Sequence, residues 1–277
     1  LVEEMSIKKK RELLSQLPNP TDWIAERNSD TVGKILGDKH KTEFLTKHAN
    51  IDQYLDEMES KEVGWIAYYD EEYPVDLREI YDFPTVLFVK GNASLLNSNC
   101  ISIVGTRTPT RYGQKVADSF ARDFARAGMT IVSGFARGVD SIAHKACVET
   151  DSPTIAVFAC GLDTCYPAEH KGLYESILNA GGLLVTEYPL GTKPLQYHFP
   201  ERNRIISGLS RGVFLPEATL KSGSLITARL SVEQGKELFV VPGNINSPES
   251  EGTNKLLQEM LFMFDIEFII FFTVFSR

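Results

Sequence analysis

The sequence predicts a doubly wound α/β fold with a mostly parallel sheet, preceded by a small helical domain. Three observations predict it. Apolar runs recur at 101–105, 130–134, 154–160, 183–187, 212–217 and 238–242. Helical stretches alternate with them, at about 112–127, 139–149, 170–180, 200–209 and 224–235. The runs are nearly all apolar rather than alternating, as parallel strands are when helical crossovers bury both faces.

The elements follow in chain order. Residues 1–62 read as a small helical domain, with helices over 8–17 and 42–58 and a break at Pro18, Asn19 and Pro20. Lys8, Lys9 and Lys10 suit a solvated helix face, and residues 33–37 a helix-hairpin-helix type of turn. Residues 63–99 form a link with strands of its own, punctuated by Tyr73-Pro74 and Phe83-Pro84, because residues before proline favour extended backbone.

The stretch 101–145 organises the remainder. A strand ends at Gly105, and a basic loop leads into a helix with Val116, Ala117, Phe120 and Phe124 on one face, stopped by Gly128. A second strand ends at Gly134, and another helix starts at Val139. Both glycine turns then lie at carboxyl ends of strands, where open α/β sheets bind ligands. Helix starts there present free N–H groups to anions. Gly105, Thr106, Gly134 and Gly138 make these turns, and Arg107, Arg111 and Arg137 lie in or beside them. Glycines that merely permit tight turns would explain one such turn. Two, each with an arginine, point to an anionic ligand. The spacing is not the dinucleotide fingerprint.

Two later junctions repeat the theme. Pro200 suits a first helical position, which puts Arg202, Asn203 and Arg204 in a first turn. Phe199 just before it is either a hydrophobic staple or a base-stacking platform. Lys221, Ser222, Gly223 and Ser224 precede the next helix, either as a phosphate cradle or as ordinary serine capping, without Walker spacing.

Composition narrows the function. The 277 residues carry a net charge of −8, which alone argues against nucleic acid. Residues 100–230, however, hold 14 basic and 11 acidic side chains, and this central segment alone is positive. Cys100, Cys147, Cys160 and Cys165 form no C-x-x-C pair and suit reduced, cytoplasmic thiols. Scattered histidines give no support to a metal site, and no cofactor motif appears. A hydrolase is the rival reading. Asp140 and His144 lie four apart on one helix and could pair, and Glu187 and Glu217 end strands. Yet no G-x-S-x-G or H-E-x-x-H motif is present.

Taken together, these stretches resemble the DNA-processing protein A (DprA, or Smf) family. The resemblance rests on Tyr73-Pro74, Asp82-Phe83-Pro84 and 89–92. It continues through Gly105-Thr106-Arg107, Ser133-Gly134, Gly138-Val139-Asp140, Ala143-His144 and Tyr166-Pro167. His198-Phe199-Pro200, 202–208, 221–227 and Val241-Pro242-Gly243 complete it, in family order over about 63–259. The resemblance implies an extended Rossmann-like fold that binds single-stranded DNA without catalysis. It also implies a homodimer that protects incoming strands and loads the RecA recombinase during natural transformation. It places DNA contacts on Arg107 and Phe199 and raises the stacking reading of Phe199 above the staple. Arg202, Arg204, Lys221, Arg111, Arg137 and Lys171 are added as nucleic-acid contacts from position and charge.

The sequence departs from the family pattern in three places. Gln196 and Ala168 stand where the family often has lysine, with Lys171 and Lys193 as compensating cations. Two lost phosphate contacts would lower the salt slope by about 1 each. Residues 260–277 form a phenylalanine-rich tail unlike the family's polar ending. A shifted reading frame accounts for it first, and a tail covering a dimer surface second. It is no membrane anchor, because Asp265 and Glu267 interrupt a run that needs about 20 apolar residues to span. The enzyme alternative is a nucleotide-processing hydrolase of the lysine-decarboxylase-like family, whose P-G-G-x-G-T-x-x-E loop is absent here.

Overall fold

The computed structural model describes residues 51–263, with side chains to Glu259, and the isolated positions Glu12, Ser15, Gln16, Lys34 and Ile35. The expected helix over 8–17 and the 33–37 turn are described only at those isolated positions, all of them helical, and most of the 260–277 tail lies outside the described residues. Helix α1 (Ile51–Ser60) covers the end of the expected 42–58 helix.

The sheet has eight strands among the described residues: β1 (Gly64–Ala67), β2 (Val86–Gly91), β3 (Cys100–Ile103), β4 (Thr130–Ser133), β5 (Thr154–Val157), β6 (Leu183–Thr186), β7 (Gly212–Leu215) and β8 (Glu237–Val240). Their order is β1-β2-β6-β5-β4-β3-β7-β8. β2 pairs antiparallel with β1 and β6, and every other pairing is parallel. The six predicted strands are all present but end one to three residues earlier at their carboxyl ends. Phe158, Ala159 and Cys160 already belong to the edge loop.

The connecting helices are α2 (Val75–Arg78), α3 (Arg111–Arg126), α4 (Val139–Glu149), α5 (Lys171–Asn179), α6 (His198–Gly208), α7 (Ser224–Glu233) and α8 (Glu251–Met263). One face of the sheet packs Val132, Ile155, Val185 and Val213 against Leu77, Ile205, Ile206, Ala228 and Leu256 of α2, α6, α7 and α8. The other packs Ala156 and Leu184 against Met58 and Ile177, and Ile101, Ile131 and Phe214 against Ala117, Ala121, Ala143 and Ala146. Strands β3 to β7 are buried on both faces, which is why their sequences run apolar without alternation. Cys100, Cys147 and Cys160 are buried free thiols, and Cys165 is half-buried.

Helix α3 departs from expectation in its buried stripe. Gly113, Ala117, Ala121 and Ala125, each four residues on, face the core and let the helix approach closely. Phe120 is exposed at the helix flank, stacked on Phe214 with centroids 4.6 Å apart.

Topology fixes the site. From β3 the chain steps outward through β4, β5 and β6, then returns to β7 on the other side of β3. The order reverses between β3 and β7, and the crevice beyond their carboxyl ends is the expected ligand position. The loops there are 104–110 after β3, 134–138 after β4, 158–170 after β5, 187–197 after β6 and 216–223 after β7.

Candidate nucleic-acid interface

Arg107 and Phe199 meet at this edge. Arg107 is exposed in the loop after β3, and its guanidinium carbon sits 5.7 Å from the Phe199 ring centroid. Phe199 is half-buried and has a second ring neighbour, Tyr166, at 5.6 Å and tilted by 55°. Helix α6 begins at His198, not at Pro200, so Phe199 is its second residue and Pro200 its third. Proline is tolerated there because the first N–H groups of a helix have no intrahelical acceptor. With Tyr197 as cap, Phe199 does not occupy the staple position.

The loop that carries Arg107 is held from beneath by Glu217, itself only 1% exposed. The Thr106 N–H donates to the Glu217 carbonyl at 2.9 Å. The Thr110 N–H and hydroxyl each donate to the Glu217 carboxylate at 2.7 Å. Thr110 also caps α3, its Oγ1 accepting from the Gly113 N–H at 3.1 Å. A methyl group on Gly113 would overlap the Glu217 carboxylate, and one on Gly105 would meet Val139. Gly138, at φ +74°, lies so close to the Thr106 and Arg107 backbone that no side chain fits. Thr110→Val, which loses the cap and the hydroxyl's hydrogen bond to Glu217 but keeps the backbone one, is expected to cost about 1–2 kcal/mol. A lower urea midpoint would show it.

The next turn is organised by a second internal carboxylate. Asp140 accepts from the N–H groups of Gly134 at 3.1 Å and Ala136 at 3.3 Å. Burial pushes the Asp140 carboxyl above the usual carboxylate range, against the pull of Arg202 and these N–H groups. Arg202 lies on the other side of Gly134, 4% exposed, and donates to the carbonyls of Gly134 at 2.8 Å and of Val157. Burial lowers its guanidinium to about 10, with Asp140 acting the other way.

These contacts correct several expectations. Arg202 and Arg204, expected to touch nucleic acid, are buried among internal partners. Arg204 forms a bidentate pair with Glu187 at 2.5 and 2.6 Å, and its Nε lies 3.1 Å from Asp82. Arg137 is exposed but paired with Glu169. The anion-binding turns are likewise served from within: the Gly134 N–H by Asp140, Thr106 by Glu217. Ser222 and Ser224 bond each other at 2.7 Å, and Ser222 Oγ accepts from the Ser224 N–H at 3.4 Å at the start of α7. Gly105 and Gly138 act by allowing close backbone approach. Arg111, Lys171 and Lys221 are exposed, and like Arg107 they pair with no carboxylate among the described residues. Asn203 of α6 reaches the Gly223 carbonyl at 3.4 Å, joining the Phe199 helix to the Lys221 loop.

The hydrolase candidates do not assemble. Asp140 and His144 do not hydrogen-bond each other: His144 Nδ1 lies 2.9 Å from Thr154 Oγ1 instead. Glu187 and Glu217 are occupied by Arg204 and Thr110. Among the described residues no group of three or more His, Cys, Asp or Glu side chains is placed to hold a metal. No described helix is long and apolar enough to cross a membrane.

Fold and site define a doubly wound α/β protein whose switch-point edge presents aromatic rings and cations that pair with no carboxylate among the described residues, while Asp140, Glu187 and Glu217 turn inward. The model of the family DNA recombination-mediator protein A matches residues 64–269, and the chain belongs to that family. It is 47% identical over 189 residues to Protein Smf of Escherichia coli K12, covering 68% of this chain and 50% of that protein. It is 39% identical over 228 residues to DNA processing protein DprA of Streptococcus pneumoniae R6, covering 82% and 80%. The X-ray structure of Streptococcus pneumoniae DprA superposes with a TM-score of 0.76 at 36% identity, over 93% of this chain and 89% of that one. DNA processing protein A from Helicobacter pylori, described for its single-stranded DNA binding mode, gives 0.65 at 37%, over 72% and 88%. The chain thus spans half the length of the Escherichia coli relative and four-fifths of the pneumococcal one.

Proposed function

We propose that this chain binds single-stranded DNA along the switch-point edge without cutting it. In this reading it serves in the cytoplasm as a homodimeric mediator that protects incoming strands and hands them to RecA. The observation that carries the reading is the Arg107–Phe199 contact on a helix start and a loop brought together by the sheet topology. Cations answer the phosphates and an aromatic face accepts any base, which gives sequence-tolerant, salt-sensitive binding. Arg107, Arg111, Lys171 and Lys221 supply the charge. The internal carboxylates Asp140 and Glu217 brace the loops and keep negative charge off the surface.

Fluorescence anisotropy with labelled oligo-dT and an equal-length duplex, at two salt concentrations, tests it. Phe199→Ala is expected to weaken single-strand binding by about 1–3 kcal/mol. Arg107→Ala is expected to weaken binding across all sequences and reduce the salt slope by about 1. Unchanged affinity in both variants would sink the reading. Sedimentation of the free chain tests the dimer. RecA ATPase on strands already coated by a single-strand-binding protein, with and without this chain, tests the hand-over.

A further inference from the structure

We propose that Tyr166 completes a two-ring platform with Phe199. On it two consecutive bases of one strand lie splayed, one per ring, and the angle between the rings is what discriminates against duplex. This rests on the single-strand reading above and specifies how that site chooses its ligand.

The geometry rules out the simpler arrangement. A base sandwiched between two rings needs parallel faces separated by two van der Waals contacts of about 3.5 Å each. The Tyr166 and Phe199 centroids are 5.6 Å apart and the planes meet at 55°. No base fits between them, so each ring offers its own outer face. Tyr166 is 42% exposed, and Phe199 is its ring neighbour. Among the described residues its hydroxyl has no hydrogen-bond partner. It is therefore an amphipathic ring with a wet tip and a free face, beside the aromatic that Arg107 already engages. Lys171, exposed on the first turn of α5 and close to Cys165, places a cation on the same flank.

Selectivity follows from the tilt. Neighbouring bases in a duplex are parallel and stacked. To meet both rings they must open towards 55°, which costs base stacking and pairing in a duplex and far less in a strand already free. Phe199 alone would reward any accessible base. The pair rewards two bases only when they are free to splay.

The test uses the whole chain, labelled oligo-dT and a duplex of equal length. Tyr166→Ala is expected to weaken oligo-dT binding about 5- to 100-fold while leaving duplex affinity unchanged, so the preference for single strand narrows. Tyr166→Phe is expected to stay within about twofold of wild type, because ring area rather than the hydroxyl does the stacking. An oligonucleotide carrying 5-iodouracil, photo-crosslinked to the wild type, is expected to label peptides containing Tyr166 and Phe199. Wild-type affinity in Tyr166→Ala, with binding lost in Phe199→Ala, would overturn this inference and leave the single-strand reading standing. Wild-type chain that ignores oligo-dT would overturn both. Matched melting curves for the variants separate lost contacts from lost folding.

Discussion

Arg204→Ala is expected to destabilise the fold by about 3–5 kcal/mol, the cost of stranding one member of a buried ion pair. Glu187, Arg204 and Asp82 lie between α6, the end of β6 and the loop before β2, and Arg204 is only 9% exposed. The bidentate geometry satisfies both Glu187 oxygens. Removing the guanidinium leaves that carboxylate largely out of water with no equal partner. Replacing both Arg204 and Glu187 by apolar residues of similar size is expected to recover much of the loss, since a well-packed apolar pair often equals a buried ion pair. Urea midpoints for Arg204→Ala, Glu187→Gln and the double variant would show this pattern. Arg107→Ala, on an exposed loop side chain, is expected to leave the midpoint in place and change only affinity. An Arg204→Ala chain with a wild-type midpoint and lost oligo-dT binding would return Arg204 to the DNA surface.

That contrast shows what the sequence could and could not reveal. Strand and helix order was legible because doubly buried strands must be apolar throughout and the helices between them are amphipathic. The switch-point edge followed from the order of elements. Which arginines face the ligand was harder, because residue type and position near a helix start do not reveal burial. A signal was present nonetheless. His198, Arg202, Ile205, Ile206 and Leu209 follow helical spacing, and all five are buried. Arg202 falls on that apolar stripe, so it faces the core. Phe199 and Asn203, four apart on another face, remain at the edge. The roles of Asp140 and Glu217 as internal braces were beyond the sequence. Each acts on backbone groups, Asp140 at Gly134 and Ala136 and Glu217 at Thr110, whose positions only the folded chain defines. The family motifs Tyr73-Pro74 and Asp82-Phe83-Pro84 prove structural in the same way. The Tyr73 hydroxyl donates to the Pro84 carbonyl at 2.6 Å, and Asp82 reaches Arg204.

His144 makes the fold acid-sensitive well above the ordinary carboxylate range. Its ring is fully buried. The Thr154 hydroxyl donates to the Ile131 carbonyl at 2.7 Å, so Thr154 Oγ1 accepts from His144 Nδ1–H, and the imidazole is neutral. Nε2 has no hydrogen-bond partner among the described residues. Burial, then the nearby positive charges of His170 and Arg202, hold the native histidine down to about 3. In the unfolded chain it titrates near 6.5. Between those values the unfolded chain holds a proton that the native chain excludes. Stability from His144 is therefore complete above about pH 6.5 and declines as the pH falls, by about 1.4 kcal/mol per pH unit. At pH 4 the loss is about 3 kcal/mol. Asp140 acts with the opposite sign, because its raised carboxyl keeps a proton in the native state after the unfolded chain has released it. A comparison with His144→Asn isolates the histidine, since the amide preserves a donor to Thr154 and carries no titrating group. Urea denaturation at pH 7 is expected to favour wild type or show parity. At pH 4 the balance is expected to shift towards the variant by about 3 kcal/mol. Parallel stability curves for the two chains would mean that His144 takes up its proton without unfolding the protein.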